Sequence, residues 1–279
     1  MLLLPLNPVP ASDIQIRQMN RNNGIKIRSR ASFIHLCISL AVALVAAGLV
    51  FWLWYPAPHH RLSGGLNLFL MLTGIDLIVG PILTFVVFNT TKPRRELVRD
   101  LTVIAIIQLA ALSYGLNTAF HARPTHIVFE YNRFRVVHAD AEIPQEMLEK
   151  APTGINTHPL AGPIYVSLRP IESKERTDIL VQELSGFPVA YRADMWQPYD
   201  AAKNMLIESA RPVSELPLKI AAEDMQKVQQ KIAVLLRHEP GKTEKDFVYL
   251  PLLSRFGMGI ALLPKDSTHV LGILEVDFV

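Results

Sequence analysis

The sequence predicts a membrane α-helical region of three transmembrane helices followed by a soluble α+β domain. Three observations carry this expectation. Half of the 279 residues are hydrophobic and 19% are charged, and the mean hydropathy of +0.24 is apolar for a soluble chain. The apolar residues concentrate before residue 120, in three runs each long enough to cross a ~30 Å hydrocarbon core. Beyond His121, short β-rich and amphipathic runs alternate between prolines, as in an α+β domain of about 155 residues with its own core.

The first span is read as 32–55, SFIHLCISLAVALVAAGLVFWLWY, which has no full charge. Trp52, Trp54 and Tyr55 close it as an aromatic belt at an interface. A signal peptide has a shorter apolar core and a small-residue exit. The length here and the bulky WLWYP exit argue for an uncleaved anchor. The second span is read as 66–88 and the third as 97–120.

Charge orients the spans. Residues 1–31 carry Arg17, Arg21, Lys26, Arg28 and Arg30 against Asp13. The 89–100 turn carries Lys92, Arg94, Arg95 and Arg99 against Glu96 and Asp100, whereas the first connection has only Arg61. The positive-inside rule puts the basic N-terminal segment, 1–31, and the 89–100 turn in the cytoplasm. The three-span membrane domain is then 32–120, and 121–279 lies on the opposite side, the periplasm in a Gram-negative cell. The overall charge is +3, yet the part after His121 is mildly acidic. Basic flanks on apolar runs fit membrane orientation and argue against nucleic acid as a partner. MLLLPLNPVP is too short and too proline-rich to span. Residues 1–18 show no element, and translation is expected to start at Met19.

Asp76 lies in the second span, about ten residues from its start and so ~15 Å deep. A carboxylate there costs roughly 2.5–3.5 kcal/mol on insertion scales and demands a partner or a proton. Gln108 of the third span falls at nearly the same depth, which predicts an Asp76–Gln108 polar pair. Two readings of Asp76 stay open: glue between spans two and three, or a contact to a client helix. Conduction of protons or ions would need several ionisable groups along a path, and the spans offer only Asp76 and, near an end, His35. Gly74, Gly80 and Pro81 are read as close-approach and kink positions. Ser39, Ala43 and Ala47 form a small-residue packing stripe at i, i+4.

Enzyme chemistry finds no footing in the motifs. A membrane aspartyl protease needs two aspartates sharing a proton, and G-x-S-x-G, H-E-x-x-H and Walker A patterns do not occur. Cys37 is the single cysteine, so neither an intramolecular disulfide nor a cysteine metal site is available. His59, His60, His121 and His126 are read as interfacial residues at span exits, without metal-ligand spacing. No catalytic residue, metal or cofactor is expected.

In the C-terminal part, THIVFEYNRFRVVHAD reads as two β runs about a YNR turn. IPQEMLEKA and ESKERTDILVQELSG read as helices, the second stopping at Gly186. Residues 214–238 read as the longest helix, with Met225, Val228, Ile232 and Leu235 on one face. DFVYLPLL, MGIALLP and HVLGILEVDF read as strands, with KDST as the turn between the last two. Prolines 159, 163, 170, 188, 198, 212 and 217 mark long connections. Trp196 and Tyr199, in MWQPY, are candidates for partner contact, with a core tryptophan under a loop as the competing reading.

WLWYPAPHHRLSGG, GIDLIVGPILTFVVFN and KPRRELVRDLTVIAIIQLAALSYGL, followed by ARPTHIVFEYNRFRVV, make the sequence similar to the TfpX/TfpZ (FimB-like) family of type IV pilin accessory proteins. The match runs over nearly the whole chain after residue 30. The extended N-terminus departs from it. The resemblance implies a bacterial inner-membrane protein without enzymatic activity that helps a type IV pilin subunit assemble into pili. Its partners would be that subunit, the lipid bilayer and other pilus assembly proteins. The competing function is a membrane-anchored periplasmic ligand-binding subunit of a sensor or transport system.

Overall fold

A computed structural model of the protein describes residues 11–218, 220–238 and 241–278. Residues 1–10 fall outside that range, and with them most of the segment ahead of Met19; Ala11–Gln18, expected to show no element, are instead helical. Among the described residues, three helices are long and apolar enough to cross a membrane. α1 spans Ala11–Gly48 and continues into a π-helical turn, Leu49–Trp54. After a one-turn helix, α2 (His59–Leu62), come α3 (Gly65–Val87) and α4 (Arg94–His121). Pro56 and Pro58 cannot continue a helix and mark the end of the first span. Pro93, which contributes no N–H, directly precedes the first turn of α4.

The chain divides into two compact units. One comprises Met1–Ala46 and Leu70–Leu116, the other Ala47–Phe69 and Asn117–Val279. The first is the body of the three-helix bundle. Its helices interlock through small residues: the Leu72 side chain fills the position a Cβ at Gly115 would take, and the Ser32 hydroxyl donates to the Pro81 carbonyl at 2.7 Å.

The second unit is built on one mixed sheet. Its strands are β1 (Pro124–Phe129), β2 (Phe134–His138), β3 (Ile164–Leu168), β4 (Trp196–Pro198), β5 (Arg211–Pro212), β6 (Phe247–Leu253), β7 (Met258–Pro264) and β8 (Gly272–Glu275). They run in the order β4-β3-β1-β2-β6-β7-β8, with β5 paired to β6. The β1–β2, β6–β7 and β7–β8 pairs are antiparallel, while β1–β3 and β2–β6 are parallel. Both faces are buried. Ile127, Phe129, Phe134, Leu250 and Leu252 lie on one face, covered by α7 (Lys203–Ser209) and by Leu62 of α2. The other face packs under α6 (Arg176–Leu184) and the Trp196 segment at one end and α8 (Ala222–His238) at the other. The remaining helix, α5 (Gln145–Glu149), borders the cluster under α6 and Trp196.

Two expectations change here. The helix expected over 214–238 is broken: Val213–Leu218 is a 3-10 turn, and α8 starts only at Ala222, after Ala221 N–H has bonded Asp277 O. And β3, parallel to β1, lies in the stretch the prolines had marked as connection.

The β1–β2 turn explains the Glu-Tyr-Asn-Arg sequence. Tyr131 takes a left-handed φ of 62°, and Glu130 turns inward, 2% exposed. Its carboxylate accepts from Arg133 Nε at 2.9 Å, Arg135 Nε at 2.8 Å and the Ala190 N–H at 3.2 Å. A buried charge is tolerable because it is paired and hydrogen-bonded.

Candidate site in the membrane bundle

The polar residues of the bundle meet around Gly80. A Cβ there would collide with the Gln108 amide and crowd His35, so glycine leaves the room that both side chains occupy beside α3. Gln108 Nε2 donates to the main-chain carbonyl of Asp76 at 3.2 Å. That carbonyl can only accept, which fixes the amide and turns Gln108 Oε1 towards His35 Nε2, 2.8 Å away. His35 Nε2 therefore donates, and His35 Nδ1 accepts from the Thr84 hydroxyl at 2.6 Å. The result is a satisfied relay, Thr84–His35–Gln108–Asp76 O, that ties α1, α3 and α4 together.

The expected Asp76–Gln108 side-chain pair is thus corrected. Gln108 takes the backbone oxygen of Asp76 and gives its own oxygen to His35. The Asp76 carboxylate has no hydrogen-bond or ion-pair partner among the described residues, and it lines a cavity of about 570 Å³ within the bundle. His35, Thr84 and Gln108 line the same cavity, and Arg30 lies on its lining as well.

Ser39 and Ala43 also line the cavity. They leave a groove where a helix contact had been expected, while Ala47 belongs to the other unit. Gly74 is not a close-approach position, since a Cβ there meets nothing within 4 Å. Pro81 lies inside α3, with its carbonyl held by Ser32. Sequence reasoning missed the bond from His35 to Gln108 and the role of Thr84. The available signal was His35, a histidine inside the apolar first span.

The other expected contacts lie in the second unit. Trp52 is 89% exposed, but Trp54 and Tyr55 turn inward rather than forming a belt with it. Trp54 packs edge-on against Phe120, and the Tyr55 hydroxyl donates to Ala119 O at 2.9 Å. Trp196 is 1% exposed, donates its Nε1–H to Ala190 O and stacks on His126. It is a core residue that no partner can reach. Tyr199 donates to Thr268 O at 2.7 Å and packs on Tyr165 within the other core cluster. His59 and His126 are buried in the domain rather than interfacial. Burial pushes their imidazoles, and that of His138, down to about 4. No cluster of three metal-ligating side chains occurs among the described residues.

A family model described as FimB, fimbrial assembly protein, matches residues 23–64, which run from the basic arm through the first span to α2. "Fimbrial assembly protein, serogroup I" of Dichelobacter nodosus is 31% identical over 250 residues, spanning 89% of this chain and 95% of that relative. The chain belongs to the fimbrial assembly protein family. The serogroup E1 member of the family from the same organism is 30% identical over the same shares. The member for serogroups C1 and C2 is 40% identical over 109 residues, 39% of this chain. The family match therefore takes in both the bundle and the sheet domain. No solved structure matches the chain significantly.

Proposed function

We propose that this protein acts in the bacterial inner membrane as an accessory factor for type IV pilus assembly, and that its three-helix bundle receives the membrane helix of the pilin subunit. The N-terminus and the 89–100 turn are cytoplasmic in this reading, and the sheet domain is periplasmic. Membership of the fimbrial assembly family supports the pathway, and the basic flanks support the orientation.

The observation that carries the client site is the Asp76 carboxylate. It opens onto a cavity in an apolar bundle while its neighbours satisfy one another without it. A polar group left unpaired in a span is expensive and is kept where something else meets it. A carboxylate kept only as glue would be expected to pair with Gln108, whose amide instead takes the Asp76 main-chain oxygen. Ser39 and Ala43 keep the α1 side of the cavity shallow enough for a helix backbone to approach.

Photo-crosslinking tests this. A benzophenone side chain at Ala43 should capture pilin in intact membranes. The same group at Val45, 76% exposed on α1 and outside the cavity lining, should not. Equal capture at both positions, or none at Ala43, would remove the cavity as the client site.

A further inference from the structure

Two exposed apolar side chains of the sheet domain are fastened to the ends of the membrane helices. Phe256, in the β6–β7 hairpin, is 66% exposed. Its N–H donates to Leu62 O at 3.1 Å. Its ring lies against Gly64, one residue before α3 begins, where a Cβ would stand 2.6 Å from the ring. Leu160 is 69% exposed. Its loop is held on both sides: Arg123 Nη2, two residues beyond α4, donates to Pro159 O at 2.9 Å, and Gly162 N–H donates to Leu53 O, in the last turn of the first span, at 2.6 Å.

A span end is a depth marker. Each attachment reaches a residue within three positions of a helix that crosses the bilayer. Three extended residues reach ~10 Å, so each attachment point lies within about that distance of the end of a span. The headgroup layer begins at such an end, and aromatic and aliphatic side chains with a polar rim are stabilised in it. Trp52, in the last turns of the first span, and Arg61, in the connection that follows, are both exposed and are the aromatic and cationic side chains available to such a rim.

We infer that the 254–257 hairpin and the loop around Leu160 rest in the bilayer interface, with Phe256 and Leu160 in contact with lipid. The occupant of this apolar surface is the membrane itself. The inference rests on the three spans crossing the bilayer and is independent of the pilin reading.

The test uses the full chain in a Cys37→Ser background, reconstituted into phosphatidylcholine–phosphatidylglycerol vesicles. A nitroxide is placed at Phe256→Cys, Leu160→Cys or Lys245→Cys. Lys245 is exposed in the turn before β6, at the end of that strand away from the hairpin and so ~23 Å from it. All three side chains are solvent-facing, so the core is left intact. Power saturation should give oxygen accessibility above that of a water-soluble nickel chelate at 256 and 160, and the reverse, by severalfold, at 245. Water-like behaviour at either 256 or 160 overturns the inference. Shielding seen in native membranes but not in these vesicles would overturn it too, and would assign the surface to a protein partner.

Discussion

Gln108 bypasses the Asp76 carboxylate and donates to the Asp76 main-chain oxygen, 3.2 Å away. One amide thereby joins α4 to α3 and, through its own oxygen, to His35 of α1. The helices are joined by these hydrogen bonds, and the Asp76 carboxylate is left over. Stability of the bundle and the proposed engagement of a client can thus be tested separately by mutation.

The relay should behave as packing. Gln108→Leu or His35→Leu is expected to weaken the bundle by roughly 0.6–2 kcal/mol, the scale of interhelical hydrogen bonds in membranes. The double variant should fall short of the sum, because the two residues share a bond. Gly80→Ala should cost at least as much, since its Cβ collides with the Gln108 amide. Gly74→Ala, in open space, should be neutral or slightly stabilising. Unfolding in mixed micelles by denaturing detergent measures all of these. A Gly74→Ala loss equal to that of Gly80→Ala would contradict the assignment.

Glu130 should be a sensitive turn residue of the sheet domain. Glu130→Ala leaves the buried Ala190 N–H and the partly exposed Arg133 and Arg135 without their acceptor, and stranding a buried donor costs about 1–3 kcal/mol. Denaturant unfolding followed by tryptophan fluorescence reports it, because Trp196 donates to the carbonyl of that same Ala190. A loss under about 1 kcal/mol would place Glu130 among ordinary surface ion pairs.

Acid should loosen the same domain. His59, His126 and His138 have imidazoles near 4 when folded, against an ordinary value of 6.5. Between those values the unfolded chain binds more protons. Their contribution is therefore complete above about pH 6.5 and is lost as the pH falls towards 4, by up to about 1.4 kcal/mol per pH unit for each histidine. His126→Phe keeps a ring beside Trp196 and cannot be protonated, so it should flatten the slope. Stability that stays level from pH 7 to 4.5 would count against the buried neutral state.

Orientation has its own test. In a Cys37→Ser background, a cysteine at Lys245 should react with an impermeant thiol reagent in spheroplasts, and one at Arg95 should be shielded. The reverse pattern would invert the topology read from the basic flanks.

How far the sequence could be read follows from which forces act locally. The spans stand out because length and hydropathy are summed along the chain, and the β6, β7 and β8 runs because alternation and turn residues are local. β3 escaped because Pro163 and Pro170 bracket a five-residue strand whose place is set by parallel pairing to β1, a non-local choice. The 214–238 helix was read too long because Ala221 is drawn away by Asp277, more than fifty residues downstream. At the candidate site, depth arithmetic brought Asp76 and Gln108 together. It could not tell side chain from backbone as the acceptor, nor reveal that Gly80 makes room for His35. Trp196 is an aromatic in a proline-rich loop, and only the fold shows it beneath Ala190 and against His126.

The most direct measurement compares Asp76→Asn and Asp76→Leu for membrane abundance, surface pili and recovery of pilin with the detergent-solubilised protein. Among the described residues Asp76 bonds nothing through its side chain, so both variants should insert and accumulate at least as well as the native chain. Leucine should do so more readily, because removing a central carboxylate relieves roughly 2.5–3.5 kcal/mol of insertion cost. The account predicts that Asp76→Leu, at full abundance, loses pili and co-purified pilin, and that Asp76→Asn keeps part of both through hydrogen bonding. Full piliation by Asp76→Leu at native abundance would contradict it.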